Sequence, residues 1–316
     1  MHNVYFNHDG NVDDLVSLLL LLQMPDVNLL GVGVTDADGY VVPAVAASRK
    51  IIDVFGGTER HTTVARSNSR PVHQFPKQWR LSAFSFNDFP ILNERSIINT
   101  PLVKQPAHLD LIDKIIKSPE KVTVVMTGPL TDLARALTLR PEIAANINCL
   151  YWMGGALNGH GNVAEPDQDG TMEWNAYWDP QAVQTVWQSD LKIVQVALDS
   201  TNQVPLTQEL RWRWARQRQY PALDLIGQGY SLVHSFEADS TYYLWDVLTT
   251  LVSNYPELVD SRTVKSAVLT EGPGAGRTYI DDEKGRPVTF VTNVDANAFY
   301  DKIDELAQAA PYRHQN

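Results

Sequence analysis

Apolar and polar blocks alternate along the first 65 residues. Residues 4–6 (VYF) form a short apolar run that reads as a buried strand, and residues 13–24 are long and apolar enough for a buried helix. Residues 27–35 give a second strand. A helix is predicted over 43–55, stopped by Gly56-Gly57, and a third strand over 62–65. Residues 67–100 break this rhythm with Pro71, Pro76 and Pro90. Such a long irregular stretch is usually functional or disordered, and its aromatics (Phe75, Trp79, Phe84, Phe86, Phe89) argue against disorder.

The alternation then resumes. Helices are predicted over 109–117, from Gly128-Pro129 to 139, and over 180–188; strands over 121–126, 149–153 and 191–198. A second irregular stretch, 156–169, is rich in Gly and Asp. Further helices are predicted over 206–218, which carries four Arg, over 239–251 and over 295–309. Residues 262–269 and 286–291 read as a peripheral pair of strands. The pattern predicts an α/β fold: a mostly parallel, Rossmann-like central sheet with helices on both faces and a ligand at the carboxyl ends of the strands. With no repeat or linker, residues 1–316 read as one domain.

Composition narrows the class. The chain has 316 residues and a formal charge of −11, with pI near 5.1. That acidity argues against a nucleic-acid partner or a polybasic membrane anchor. The single cysteine, Cys149, excludes an intrachain disulfide and a Cys-rich zinc site. No apolar run reaches the length of a membrane span, and no basic leader precedes the first strand, so a cytoplasmic protein is expected. Eight tryptophans are many for this length.

The densest chemistry is Asn7-His8-Asp9-Gly10-Asn11-Val12-Asp13-Asp14, between the first strand and the first helix. Crowded carboxylates repel one another and call for a cation, and hard oxygen donors suit Ca²⁺ or Mg²⁺. A helix cap accounts for Asp13 or Asp14 alone, not for Asp9 with Asn11. An EF-hand register fails, because Asp14 and Leu20 stand where Gly and Glu are needed. A haloacid-dehalogenase-type phosphatase fails because Asn7 occupies its nucleophile position. Thr35-Asp36-Ala37-Asp38, Thr127-Gly128-Pro129, Met153-Gly154-Gly155 and Asp199-Ser200-Thr201-Asn202 all end predicted strands, so they fit one rim of one sheet.

The first of these motifs, with Thr127-Gly128-Pro129-Leu130, Met153-Gly154-Gly155, Glu173-Trp174-Asn175 and Trp245-Asp246, resembles the nucleoside hydrolases. It is similar to their purine-specific branch, which prefers inosine, adenosine and guanosine. The resemblance runs from about residue 3 to the last helix. It implies one Ca²⁺ held by Asp9, Asp14, the Thr127 carbonyl and Asp246, with Asp9 as general base on a calcium-bound water. It implies ribose contacts from Asp13, Asn162, Glu173 and Asn175. It places Asn11 and Asp38 near the base, and the purine between Trp79 and Trp245. A homodimer acting on a small nucleoside is the expected assembly.

Two positions stand out within the resemblance. Most members have Asp where this chain has Asn7, which takes one charge from the cluster. The pyrimidine-tolerant branch has His-Asp where this chain has Trp245-Asp246, which favours purines and leaves no histidine acid there. No other acid is evident near Trp245, and residues 236–240 are an unassigned stretch. Two other readings stay open: a hydrolase of another ribosyl substrate, such as a pyrimidine nucleoside or nicotinamide riboside, and a non-catalytic nucleoside-binding protein.

Overall fold

β1 (His2–His8) is buried from its second residue onward, so both of its faces must be covered. Its side chains alternate between two cores: Val4 and Phe6 join one apolar cluster and Tyr5 the other. A strand of this kind belongs in the middle of a parallel sheet flanked by helices. The computed structural model, which describes residues 1–57, 61–233 and 241–312, has that arrangement.

The other strands are β2 (Val27–Val34), β3 (Thr63–Arg66), β4 (Leu102–Val103), β5 (Val122–Met126), β6 (Ile147–Met153), β7 (Ile193–Val196), β8 (Val259–Val268), β9 (Thr278–Ile280) and β10 (Arg286–Val294). They form one sheet of ten in the order β4-β3-β2-β1-β5-β6-β7-β10-β8-β9. Pairing is parallel from β4 to β10 and antiparallel from β10 to β8 and β9. Helices Val12–Leu21, Val41–Phe55, Pro221–Ser231, Trp245–Val252 and Ala296–Ala309 bury their apolar sides in the first cluster. Helices Ala107–Lys117, Thr131–Leu139 and Pro180–Trp187 cover the opposite face. After β1 the chain winds outward to one side through β2, β3 and β4, then returns to β5 on the other. The reversal opens a crevice at the carboxyl ends of β1 and β5.

The structure departs from the sequence pattern in several places. The expected peripheral pair is part of the main sheet, with β10 between β7 and β8. The strand expected over 191–198 stops at Val196, and Leu198–Thr201 is a helical turn. The helix expected over 239–251 begins at Trp245, because Pro205 pairs with Tyr243 and the Leu244 amide donates to Val204 O; residues 239 and 240 lie outside the described residues. The four-Arg helix is only Gln208–Ala215, capped by Thr207. Arg213 pairs with Asp301 and Asp304, Arg218 pairs with Asp224, and Arg211 donates to Tyr230 O. These arginines clamp elements together and do not form a basic face. Among the described residues no helix is long and apolar enough to cross a membrane.

His8 is wholly buried against the Phe6 ring, with Nε2 3.1 Å from Ser48 Oγ. Burial lowers its pKa to about 3. The folded protein therefore keeps His8 neutral while the unfolded chain takes up a proton below pH ~6.5. The resulting loss of stability grows as pH falls from about 6.5 towards 3, reaching about 2 kcal/mol at pH 5. Chemical unfolding of wild type against His8→Gln should show that difference appearing between pH 8 and pH 5. A constant difference would mean that His8 does not titrate on unfolding.

Candidate active site

Backbone geometry brings the strand ends together. The chain leaves β1 through Gly10, at φ +88, where a Cβ would lie 2.4 Å from the Ala44 Cβ. At the end of β5, a Cβ on Gly128 would come within 2.8 Å of the Asp9 Cβ, so only glycine allows β5 this close to the Asp9 loop. The Asp9 carbonyl accepts from the Gly39 amide and its carboxylate from the Asp38 amide at 3.2 Å, which joins the loop after β2 to the same rim.

Helix Val12–Leu21 is held by a reciprocal cap. Asn11 is its N-cap, and the Asn11 amide donates to Asp14 Oδ2 at 2.9 Å. The capping role therefore applies to Asp14, but it uses only one oxygen: Oδ1 accepts from Thr127 Oγ1 at 2.6 Å. Asp13 accepts from the Tyr242 hydroxyl at 2.9 Å and from the Asp246 amide at 3.4 Å.

The result is a buried carboxylate floor. Oxygens of Asp13, Asp14 and Asp246 lie within 4.8 Å of one another, and the carboxyls of Asp9 and Asp14 are close enough for each to shift the other's pKa. Burial holds the pKa of Asp9 and Asp246 well above the usual carboxylate range, and neighbouring carboxylates add to the effect. Asp14 is raised to about 7 by burial and the charge of Asp13, and Asp38 to about 8, chiefly by burial. A divalent cation would reverse this repulsion. The donors are all hard oxygens, and the Thr127 carbonyl stands at the same strand end, accepting from Asn175 Nδ2 at 3.2 Å. Such a donor set fits Ca²⁺ or Mg²⁺ and lacks the nitrogen and sulfur ligands of zinc. The tight trio includes Asp13, which the sequence reading assigned to ribose, and leaves Asp9 at its margin.

Above this floor opens a cavity of about 530 Å³. Of the twelve residues singled out from the sequence, eleven line it: Asp9, Asn11, Asp13, Asp38, Trp79, Thr127, Asn162, Glu173, Asn175, Trp245 and Asp246. Asp14 does not line the cavity and supports the floor from within. Glu173 caps the short helix Trp174–Trp178 through the Asn175 and Ala176 amides and also accepts from the Gly155 amide. Burial raises its pKa to about 7. Asn162 accepts from the Trp174 amide at 3.1 Å. Asn11 Nδ2 donates to Asp38 at 2.6 Å.

The wall is aromatic. Trp79 packs edge-on against Trp174 with ring centres 5.5 Å apart, and Trp245 against Tyr242 at 4.6 Å. Trp245 Nε1 also donates to Asn202, and Asp199 accepts from the Leu157 and Asn158 amides, so this last strand-end motif supports the rim. The sequence reading missed Phe75, Trp174 and Tyr242 as lining residues. Trp174 had a signal, since it lies between two candidate site residues; Phe75 and Tyr242 had none beyond their aromatic character. Residues 236–240 lie outside the described residues.

The side chain of Asn7 makes its hydrogen bonds with Asp132 and Thr35: Nδ2 donates to Asp132 Oδ2 at 3.1 Å and Oδ1 accepts from Thr35 Oγ1 at 3.4 Å. Asp132 is fully buried and also accepts from Thr35, Ser67 and Ser69. The missing acid at position 7 thus faces a buried acid at position 132. Asn7→Asp would set two buried carboxyls against each other and should destabilise the fold by about 3 kcal/mol. The exchange Asn7→Asp with Asp132→Asn should recover most of that loss in chemical unfolding. Additive losses would show that the two side chains are not coupled.

A mostly parallel sheet carrying a carboxylate floor and an aromatic wall at its switch point forms a site for a small, flat, polar molecule. Residues 4–301 match the family model described as inosine-uridine preferring nucleoside hydrolase, and the chain belongs to that family. It is 32% identical over 218 residues to the non-specific ribonucleoside hydrolase RihC of Salmonella paratyphi A, covering 67% of each chain. It is similar to the crystal structure of an inosine-uridine preferring nucleoside hydrolase from Bacillus anthracis, with TM-score 0.94, 49% identity, and 98% of this chain and 100% of that one covered. A purine-preferring ribonucleoside hydrolase from Gardnerella vaginalis is similar at TM-score 0.75 and 25% identity, with 98% and 100% covered.

Proposed function

We propose that the protein hydrolyses the N-glycosidic bond of purine ribonucleosides to free base and ribose. One observation carries this reading: a buried carboxylate floor and a wall of tryptophans share one cavity. The floor suits a cation and a neutral sugar, and the wall suits a flat heterocycle. Asp9, Asp14, Asp246 and the Thr127 carbonyl would hold Ca²⁺, with Asp13 beside it. When bound, the ion supplies a Lewis acid for the attacking water and an anchor for the ribose diol. Asp9 takes the proton of that water as its oxygen bonds to C1′. The C1′–N bond breaks with its electron pair going to the base, which then takes up a proton. Glu173, Asn175, Asn162 and Asp13 hold the sugar hydroxyls, and the carboxylates favour the positive charge that develops on the ring. Trp79 and Trp245 stack the leaving purine, with Asn11 and Asp38 near it. One continuous sheet supports reading the chain as a single catalytic domain, and sedimentation tests the expected homodimer.

Ribose release from a nucleoside panel with Ca²⁺ tests the reading. Inosine should be among the best substrates, and purines should exceed pyrimidines. The inosine-uridine preference in the description of the B. anthracis structure makes uridine the sharpest competitor. Uridine as the fastest substrate would overturn the purine preference and leave the hydrolase. Binding without any release would favour a nucleoside-binding protein. Trp79→Ala should lower kcat/KM for inosine by about 10- to 100-fold, the range expected for one lost stacking contact.

A further inference from the structure

We propose that Arg80 is a positioning residue that sets the base-recognition wall by fixing Trp79 against the carboxylate floor; this rests on the proposed role of Trp79. The guanidinium is almost fully buried and lies between two groups from the loop after β2. Nη2 is 2.5 Å from Asp36 Oδ1, and the guanidinium carbon is 4.1 Å from the centre of the Tyr40 ring. An arginine with a carboxylate at one end and an aromatic face beneath it has little rotational freedom. Its neighbours fasten the same two segments and tie the second of them to the loop after β1. Gln74 Nε2 donates to the Asp36 carbonyl, the Tyr40 amide donates to the Arg80 carbonyl, and Ser82 Oγ lies 2.5 Å from Asn11 Oδ1.

These contacts join a strand-end loop to an insertion, and the two sides have different jobs. Asp36 and Tyr40 flank Asp38, whose amide donates to Asp9. Gln74 and Arg80 adjoin Phe75 and Trp79 in the lining of the cavity. The stretch after β3 has no regular element over residues 67–78 and then forms the helical turns Trp79–Leu81 and Ser82–Asn87, so side chains must fix where those turns sit against the sheet. Arg80 and Asp36 form the ion pair of this joint, and Arg80 lies next to Trp79 in sequence. The ring is therefore placed before substrate arrives, and the cost of ordering it is not deducted from binding.

A double-mutant cycle on the full-length protein tests this. Arg80→Gln should lower kcat/KM for inosine about 10-fold, mainly through KM, with calcium affinity unchanged. In a Trp79→Ala background, Arg80→Gln should have little further effect, because the wall it positions is gone. Asp36→Asn should reproduce Arg80→Gln and serves if that variant folds poorly; Arg80→Lys should recover only part of the loss. Additive losses in the cycle would overturn the positioning role and leave the function of Trp79 intact. A Trp79→Ala variant with unchanged inosine turnover would instead overturn the stacking role, and this inference with it.

Discussion

Asp9→Asn is expected to lower kcat for inosine by about 10³-fold, within the range of general acid–base catalysis, while inosine still binds. The substitution keeps the shape of the side chain and an oxygen able to accept from the Asp38 amide. It removes the charge that receives a proton. Asp9 sits where β1 ends, with β5 pressed against it at Gly128, so its position depends on backbone and should survive the change. Ribose release gives the rate, and calorimetry with inosine gives binding. Unchanged turnover would sink the base assignment. Equal loss of binding and rate would mean that Asp9 matters only as a ligand.

Chelation should have the other large effect. Ribose release should fall to background after dialysis against a calcium chelator and return with Ca²⁺. Mg²⁺ should restore less, since it demands a tighter octahedral shell than this spread of carboxylates offers. Carboxyl groups are raised to about 7 at Asp14 and about 8 at Asp38, the latter mainly by burial, and of the two it is the ligand Asp14 that must be free of its proton when the ion binds. Proton release on binding makes calcium affinity rise between pH 6 and pH 8. The sign for stability differs between the two forms. Without the ion, these raised values stabilise the fold as pH falls from about 8 towards 4, because the folded state holds the protons more tightly. With the ion at 100 times its Kd, the folded state should gain about 2.7 kcal/mol. A melting temperature that ignores Ca²⁺ would refute a metal at this floor.

Much of the fold could be read from the apolar pattern because buried parallel strands write themselves as unbroken apolar runs. β1, β2, β3, β5 and β6 fall where those runs lie. Helix Pro221–Ser231 escaped notice because Gly227 and Gly229 weaken its signal. Gly229 is there for packing, since a Cβ would lie 2.7 Å from the Phe86 ring. β4, at two residues, is too short to leave a pattern. The floor was legible because strand-end acids have no role in an apolar core. Asp132 was not, since its partners Asn7, Thr35, Ser67 and Ser69 come from three strand ends that meet only in the fold. The wall was half legible: Trp79 stood out in an irregular stretch, whereas Tyr242 is one of twelve tyrosines.

The strand order has a consequence for how such a protein can change. Asp9, Thr127 and Met153 sit on the terminal turns of adjacent parallel strands, where any insertion would disrupt the register of the whole sheet. Phe75 and Trp79 lie on a stretch that leaves the sheet after β3 and rejoins it at β4, an edge strand paired, among the described residues, only with β3. This part can be exchanged as a cassette. Transplanting residues 70–100 from a relative with a different leaving-group preference, which keeps Ser67 and Ser69 on Asp132, should shift that preference and leave the sugar chemistry untouched, so the molecule separates much of its choice of leaving group from the bond it cuts.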